Sequence, residues 1–206
     1  QANTGGPKSE IINAAQPTAP KEAEEIQGMV VRILKDAERL FTDPTQVISV
    51  LGGLERHADL SFSNQDWGAT LAAYSSLLQE LGLSPETRAK ALYRRGYCHE
   101  RKAQKDKAIV DYTEVANMLS APPEWKAGAL FNRGVIYGKQ GDKDKEVADC
   151  TAVIDMKDAP VEFKAGAFVF RGFRHGEKGD RDKEIADYSE IINMSDAPVF
   201  RKAWAL

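Results

Sequence analysis

Cysteine is scarce in this chain of 206 residues: Cys98 and Cys150 are its two thiols. Two cysteines cannot build a disulfide framework, and cannot by themselves supply a four-ligand zinc site. Long apolar runs are missing as well, since nothing approaches the roughly 20 consecutive apolar residues that a membrane helix needs. Membrane insertion is therefore not expected. Nor does one sign of charge dominate, because 28 Lys+Arg stand against 31 Asp+Glu for a formal charge of −3. That balance excludes a generic nucleic-acid binder, whose affinity depends on clustered cations that displace counterions, and it excludes an acidic disordered chain. An initial methionine is also lacking. Gln1 opens the chain, which reads as a piece or a processed product, cytoplasmic by default and periplasmic or secreted if Gln1 follows a removed segment.

What is present is a hydrophobic share of 42% and a charged share of 29%, enough for one or two domains with a core. The charge balance is uneven along the chain. Residues 1–85 carry 6 basic and 11 acidic groups, whereas residues 86–206 carry 22 and 20. The basic excess gathers in one stretch, at Arg88, Lys90, Arg94, Arg95, Arg101, Lys102, Lys105 and Lys107. It reads either as a solvated face with a lysine-rich turn or as a docking patch for an acidic peptide.

An internal repeat organises the rest. Gly96, Gly134 and Gly172 are spaced by 38, and so are Arg95, Arg133 and Arg171; Asp106, Asp144 and Asp182; Tyr112, Cys150 and Tyr188; and Pro122, Pro160 and Pro198. Another step of 38 backwards finds a degenerate unit, with Leu54, Ala58, Tyr74 and Pro85 in register. A step forwards finds Lys202-Ala-Trp-Ala-Leu206, the opening of a further unit. The C-terminus then falls inside a repeat, as a cut within a longer chain or as a surface that something else completes.

Each unit reads as two helices. In the third, Ala127, Leu130, Gly134 and Tyr137 form one stripe of a 3.6-residue period. Gly141 suits a positive-φ C-cap and Asp142 the next N-cap. A second helix then buries Val147, Cys150 and Ile154 and ends before Pro160. Helix pairs this short cannot satisfy their own apolar faces, so neighbouring pairs must stack.

With Leu130, Gly134, Tyr137, Glu146, Cys150 and a displaced Pro160 at the signature positions, residues from about 46 onward resemble a tetratricopeptide repeat array. The resemblance implies an all-α, right-handed solenoid of antiparallel helix pairs, with units at about 46–85, 86–123, 124–161 and 162–199 and the start of another at 200–206. Two departures stand out. The period is 38 rather than 34, and Glu146 and Glu184 replace a small alanine at the helix crossing, which is expected to loosen or tilt the packing.

The N-terminal fifth differs. Residues 1–21 have linker composition, and read either as a free arm or as an arm laid on the array or a neighbour. Lys21 to Phe41 forms an amphipathic helix in the sequence pattern, placing Ile26, Val30, Ile33, Leu34, Ala37 and Phe41 on one face. The segment 22–45 reads as a helix capping the solenoid, with the tail of an upstream domain as the alternative.

Chemistry is sparse. His99 and His175 sit two repeats apart and cannot share a metal within one chain, and no phosphate loop, nucleophile elbow or zinc-protease spacing occurs. No catalytic residue, metal or cofactor is assigned, and an enzyme is not expected. Arg95, Arg133 and Arg171 each precede an aspartate by 16 residues, namely Asp111, Asp149 and Asp187, which predicts a structural ion pair between the helices of a hairpin.

The resemblance also implies where a partner would lie. In such arrays the first helix of each pair lines a concave groove, at positions set relative to the repeated glycine. Here those include Lys90, Tyr93, Arg94, Tyr97 and Arg101, then Phe131, Asn132 and Val135, then Val169 and Phe173. A clamp for a chaperone's terminal carboxylate is matched at Lys90 and Arg94, yet Glu55, Arg56 and Asp59 stand where it wants Lys and Asn, so it is not reproduced. The expected function is a scaffold or adaptor that binds a protein or peptide segment in this groove. Self-association, or a regulatory role within a larger protein, is the alternative.

Overall fold

The computed structural model describes residues 44–195. The arm at 1–21, the helix from Lys21 to Phe41 and the start of a further repeat at 200–206 lie outside the described residues. The chain divides into the units Gln1–Ile48 and Ser49–Leu206.

Eight helices and no strand occur among the described residues. They are α1 (Pro44–Ser63), α2 (Trp67–Leu77), α3 (Pro85–Arg101), α4 (Lys105–Asn117), α5 (Pro123–Lys139), α6 (Lys143–Asp155), α7 (Val161–Glu177) and α8 (Arg181–Asn193). From α3 on, each odd helix packs on the even helix after it, and each even helix on the odd helix of the next pair. The result is a helical solenoid. Successive odd helices α3, α5 and α7 also touch one another, which makes their side the inner one.

The local signals are visible residue by residue. Asp66 accepts hydrogen bonds from the amides of Gly68 and Ala69, Ser84 from that of Thr87, and Asp142 from that of Lys145, so side chains satisfy amides that a helix start leaves orphaned. Pro85 and Pro123 open their helices where no amide is needed. Between the two helices of every hairpin one residue must turn left-handed. Gly141 (φ +86°) and Gly179 (φ +83°) do this freely, whereas Gln65 (φ +57°) and Ala103 (φ +59°) hold the same position 38 residues apart and bear the strain of a side chain there.

The core is a row of small clusters, as stacking requires. Ala58, Tyr74, Leu77 and Ala91 form one; Leu92, Tyr112, Val115 and Ile136 the next; Leu130, Cys150 and Val153 the third; Phe168, Val169 and Ile191 the last. Each cluster draws residues from more than one helix. In the third unit the sequence stripe is recovered with one exchange: Cys150 is buried, while Val147 and Ile154 are half-buried and Val153 takes the central place.

The glutamates at 146 and 184 do not loosen the hairpins, whose two helices pack to the same extent in all three pairs from α3 to α8. A methyl group on Gly138 would lie 2.5 Å from the Glu146 carboxylate, and one on Gly176 would lie 2.5 Å from that of Glu184. Glycine on the first helix thus makes room for glutamate on the second. In the second unit the sizes are reversed, with Glu100 and Ala108 at the equivalent positions.

Candidate functional site

The inner face is built from α1, α3, α5 and α7. Its first property is electrostatic: the charges near its N-terminal end are already paired. Lys90 Nζ donates to Asp59 Oδ2 at 2.5 Å and to Glu55 Oε1 at 2.8 Å. Arg94 Nη1 donates to the other oxygen of Asp59 at 2.6 Å and to the Tyr74 hydroxyl at 3.1 Å, and that hydroxyl donates to Asp59 Oδ1 at 2.6 Å. Three donors from three positions therefore converge on one carboxylate. Burial by itself would raise the pKa of Asp59, but the hydrogen bonds from Lys90 and Tyr74 and the charge of Arg94 outweigh it and hold the carboxyl below its ordinary value. For Lys90 burial works towards a lower pKa, and the bonds to Asp59 and Glu55 overcome it and raise the value. The Arg94 guanidinium also lies over the Phe62 ring, 4.8 Å from its centroid.

Further along, the pairing continues. Lys139 meets Glu100 at 3.3 Å, Lys143 meets Glu177 at 3.2 Å, and Arg174 bridges Glu146 and Glu177 at 2.5 and 2.6 Å. Asn132 donates to the hydroxyls of Tyr93 at 3.2 Å and Tyr112 at 3.4 Å, so its amide serves the chain's own tyrosines. Arg101 is exposed and lies 5.9 Å from the centroid of Trp67.

The aromatic residues divide into stacked and open ones. Tyr97 joins Phe62 and Trp67 in a three-ring cluster with centroids 5.7 to 5.9 Å apart. Tyr93 packs between Tyr112 and Trp125, and Phe131 between Phe163 and Phe170. Gly128 permits that close stacking, since a methyl group there would meet the Tyr93 ring at 2.9 Å and the Phe163 ring at 3.1 Å. Phe173 is the open one, 47% exposed, with Arg174 over its ring at 5.2 Å. Val135 is half-buried on the same face.

Among the positions expected in the groove, Lys90, Tyr93 and Arg94 thus lie together on α3, with Asn132 of α5 reaching Tyr93, while Tyr97, Val135 and Phe173 keep apolar surface in reach of solvent. Val169 departs from expectation: it is 7% exposed and packs in the core cluster with Ile191, because α8 covers that side of α7. The sequence reading missed Glu55, Asp59 and Tyr74 as members of this face. Their signal was present, since the acids occupy the very positions where a clamp would have placed Lys and Asn.

Behind the face lies the expected arginine and aspartate network. Arg95, Arg133 and Arg171 each grip their aspartate with two bonds, at 2.9 and 2.6 Å, 2.9 and 2.6 Å, and 3.0 and 2.6 Å. Arg133 and Arg171 add a bond to Thr113 (2.9 Å) and Thr151 (3.3 Å) of the preceding hairpin. His99 Nδ1 lies 2.7 Å from Gln104 Oε1, and Nε2 lies 3.9 Å from Asp111; His175 stands between Asp180 and Asp187, 3.9 Å from each. No three His, Cys, Asp or Glu side chains converge as metal ligands among the described residues. No helix among the described residues is long and apolar enough to cross a membrane.

Residues 90–117 and residues 127–160 each match a family described as tetratricopeptide repeat. No curated protein matches the chain. Tetratricopeptide repeats are in general protein–protein interaction modules, on a scaffold that is typically non-enzymatic.

Proposed function

We propose that this tetratricopeptide repeat protein binds a segment of another protein along its inner face, chiefly through apolar side chains. The observation that carries the reading is the apolar surface that Tyr97, Val135 and Phe173 keep in reach of solvent, widest at Phe173, one position past the repeated glycine in three successive units, on a face where neighbouring charges are paired within the chain. Partner sites of this kind draw affinity from a few buried aromatic anchors. Lys90, Arg94 and Asn132 fix the shape of the face through their own partners, and Tyr93 and Phe131 support it by stacking.

The test is a binding selection from a displayed library of random peptides against the full chain, followed by Val135→Lys and Phe173→Ser. Each variant is expected to weaken the selected peptides by about tenfold or more while the helical circular dichroism and melting stay close to wild type. Retention of full affinity in both variants would place binding elsewhere. Light scattering over a concentration series separates partner binding from self-association, since a chain that is monomeric throughout has no self-association to set against it.

A further inference from the structure

The arrangement around Asp59 has the form of a liganded site. Its two oxygens take Lys90 on one side and Arg94 with Tyr74 on the other, at 2.5 to 2.6 Å. All three donors sit on elements other than the one that carries Asp59: Lys90 and Arg94 on α3 and Tyr74 on α2, against Asp59 on α1. The cations are mostly shielded, with side-chain exposures of 18% for Lys90 and 23% for Arg94, and Glu55 supplies a second carboxylate to Lys90. Two cations and a hydroxyl held on one anion are what a receptor for a carboxylate requires, and charge-assisted bonds of this length are the strong kind.

We propose that Lys90, Arg94 and Tyr74 form a carboxylate-binding site that the chain fills with its own Asp59, backed by Glu55, so that the N-terminal end of the inner face is closed to acidic segments. Asp59 and Glu55 are then specificity-determining residues: they leave Lys90 and Arg94 no unpaired charge to attract an acidic partner, and their own charge repels one. The proposal extends the reading of the inner face as the binding surface, but the pocket is testable apart from it.

Two measurements on the full chain decide the matter. The first uses acetate as probe. Asp59→Ala is expected to melt several degrees higher in acetate than in chloride at equal ionic strength, while wild type shows no difference; an Asp59→Ala protein that folds and is indifferent to acetate overturns the proposal. The second uses a fluorescein-labelled Gly/Ser octapeptide ending in Glu-Glu with a free carboxylate. Glu55→Gln with Asp59→Ala is expected to bind it about tenfold tighter than wild type, with a steep loss in salt, and further Lys90→Ala removes the gain. Wild type binding as tightly as the double variant overturns the proposal. If Asp59→Ala does not fold even in acetate, Asp59→Ser replaces it in the peptide measurement, because its side chain is polar but too short to fill the site between Lys90 and Arg94, and it must still exceed wild type. The acetate response reads the pocket alone. Its absence therefore counts against the site, whereas Val135 and Phe173 variants that keep their peptides count against the face.

Discussion

The Glu146 carboxylate lies over the bare α-carbon of Gly138, so close that a methyl group there would fall 2.5 Å from it. The glutamate is 1% exposed and held by Arg174 of the next hairpin. Glycine within a helix is ordinarily a liability of up to about 1 kcal/mol relative to alanine, less in the last turn where Gly138 lies, but here alanine would displace a buried charge from its partner.

Gly138→Ala is accordingly expected to destabilise the protein by about 1 to 3 kcal/mol, overpacking outweighing the gain in helix propensity. Adding Glu146→Ala should recover most of the loss. Equilibrium urea unfolding of the two single variants and the double variant measures this, and a Gly138→Ala protein more stable than wild type would refute the steric account.

Ala103 offers the opposite case. It holds φ +59° where Gly141 and Gly179 stand in later units, so Ala103→Gly is expected to raise stability by about 0.5 to 1 kcal/mol even though glycine is the more flexible residue when unfolded. The same urea titration applies, and a loss would show that the turn carries no strain.

Arg133 grips a carboxylate that is 6% exposed in Asp149. Removing the cation leaves that charge buried alone, and Arg133→Ala should cost about 3 kcal/mol or more. Arg133→Met with Asp149→Leu should lose much less, since an apolar pair strands no charge. Equal losses in both would mean that the stranded charge of Asp149 is not what makes Arg133→Ala costly, since both variants lack the ion pair and only the single one leaves the carboxylate alone.

Acid should weaken the pairing around Asp59. Its pKa is held below the ordinary 3.8, so its contribution is present above that pH and is lost as pH falls through the lowered folded value. Melting temperature followed from pH 6 to pH 2 should drop more steeply in wild type than in Asp59→Asn. Parallel curves would exclude a role for this carboxylate in acid stability.

Burial pushes the Cys98 thiol up to about 11 and the Cys150 thiol to about 12. Thiolate is the reactive form, so neither should react with a disulfide reagent at pH 8 in the native protein, and both should react once guanidinium unfolds it. A fast native reaction at either would contradict its burial.

Much of the fold was legible because the repeat states it several times. The stripe Ala127, Leu130 and Gly134, the turn at Gly141 and the cap at Asp142 are short-range signals, and each recurs in register. The 16-residue spacing of arginine and aspartate was readable for the same reason, since it spans one hairpin whose geometry repeats. What escaped the reading depends on pairs that only stacking brings together. Gly138 and Glu146 each look like a departure from the family pattern until they are seen to fit one another. Lys90 and Arg94 look like free cations until α1 supplies Asp59. Val169 looks like a groove position because the offset from Gly172 is right, but its side chain is taken up in the cluster with Phe168 and Ile191.

The guanidinium of Arg133 touches three helices, with Asp149 on α6, Thr113 on α4 and its own α5 between them. Arg171 repeats the arrangement one unit on. A chain sewn in this way has no seam at which one hairpin ends and the next begins. Pulled from its two ends, the stretch from α4 to α8 should give way in a single rupture rather than as a ladder of separate steps.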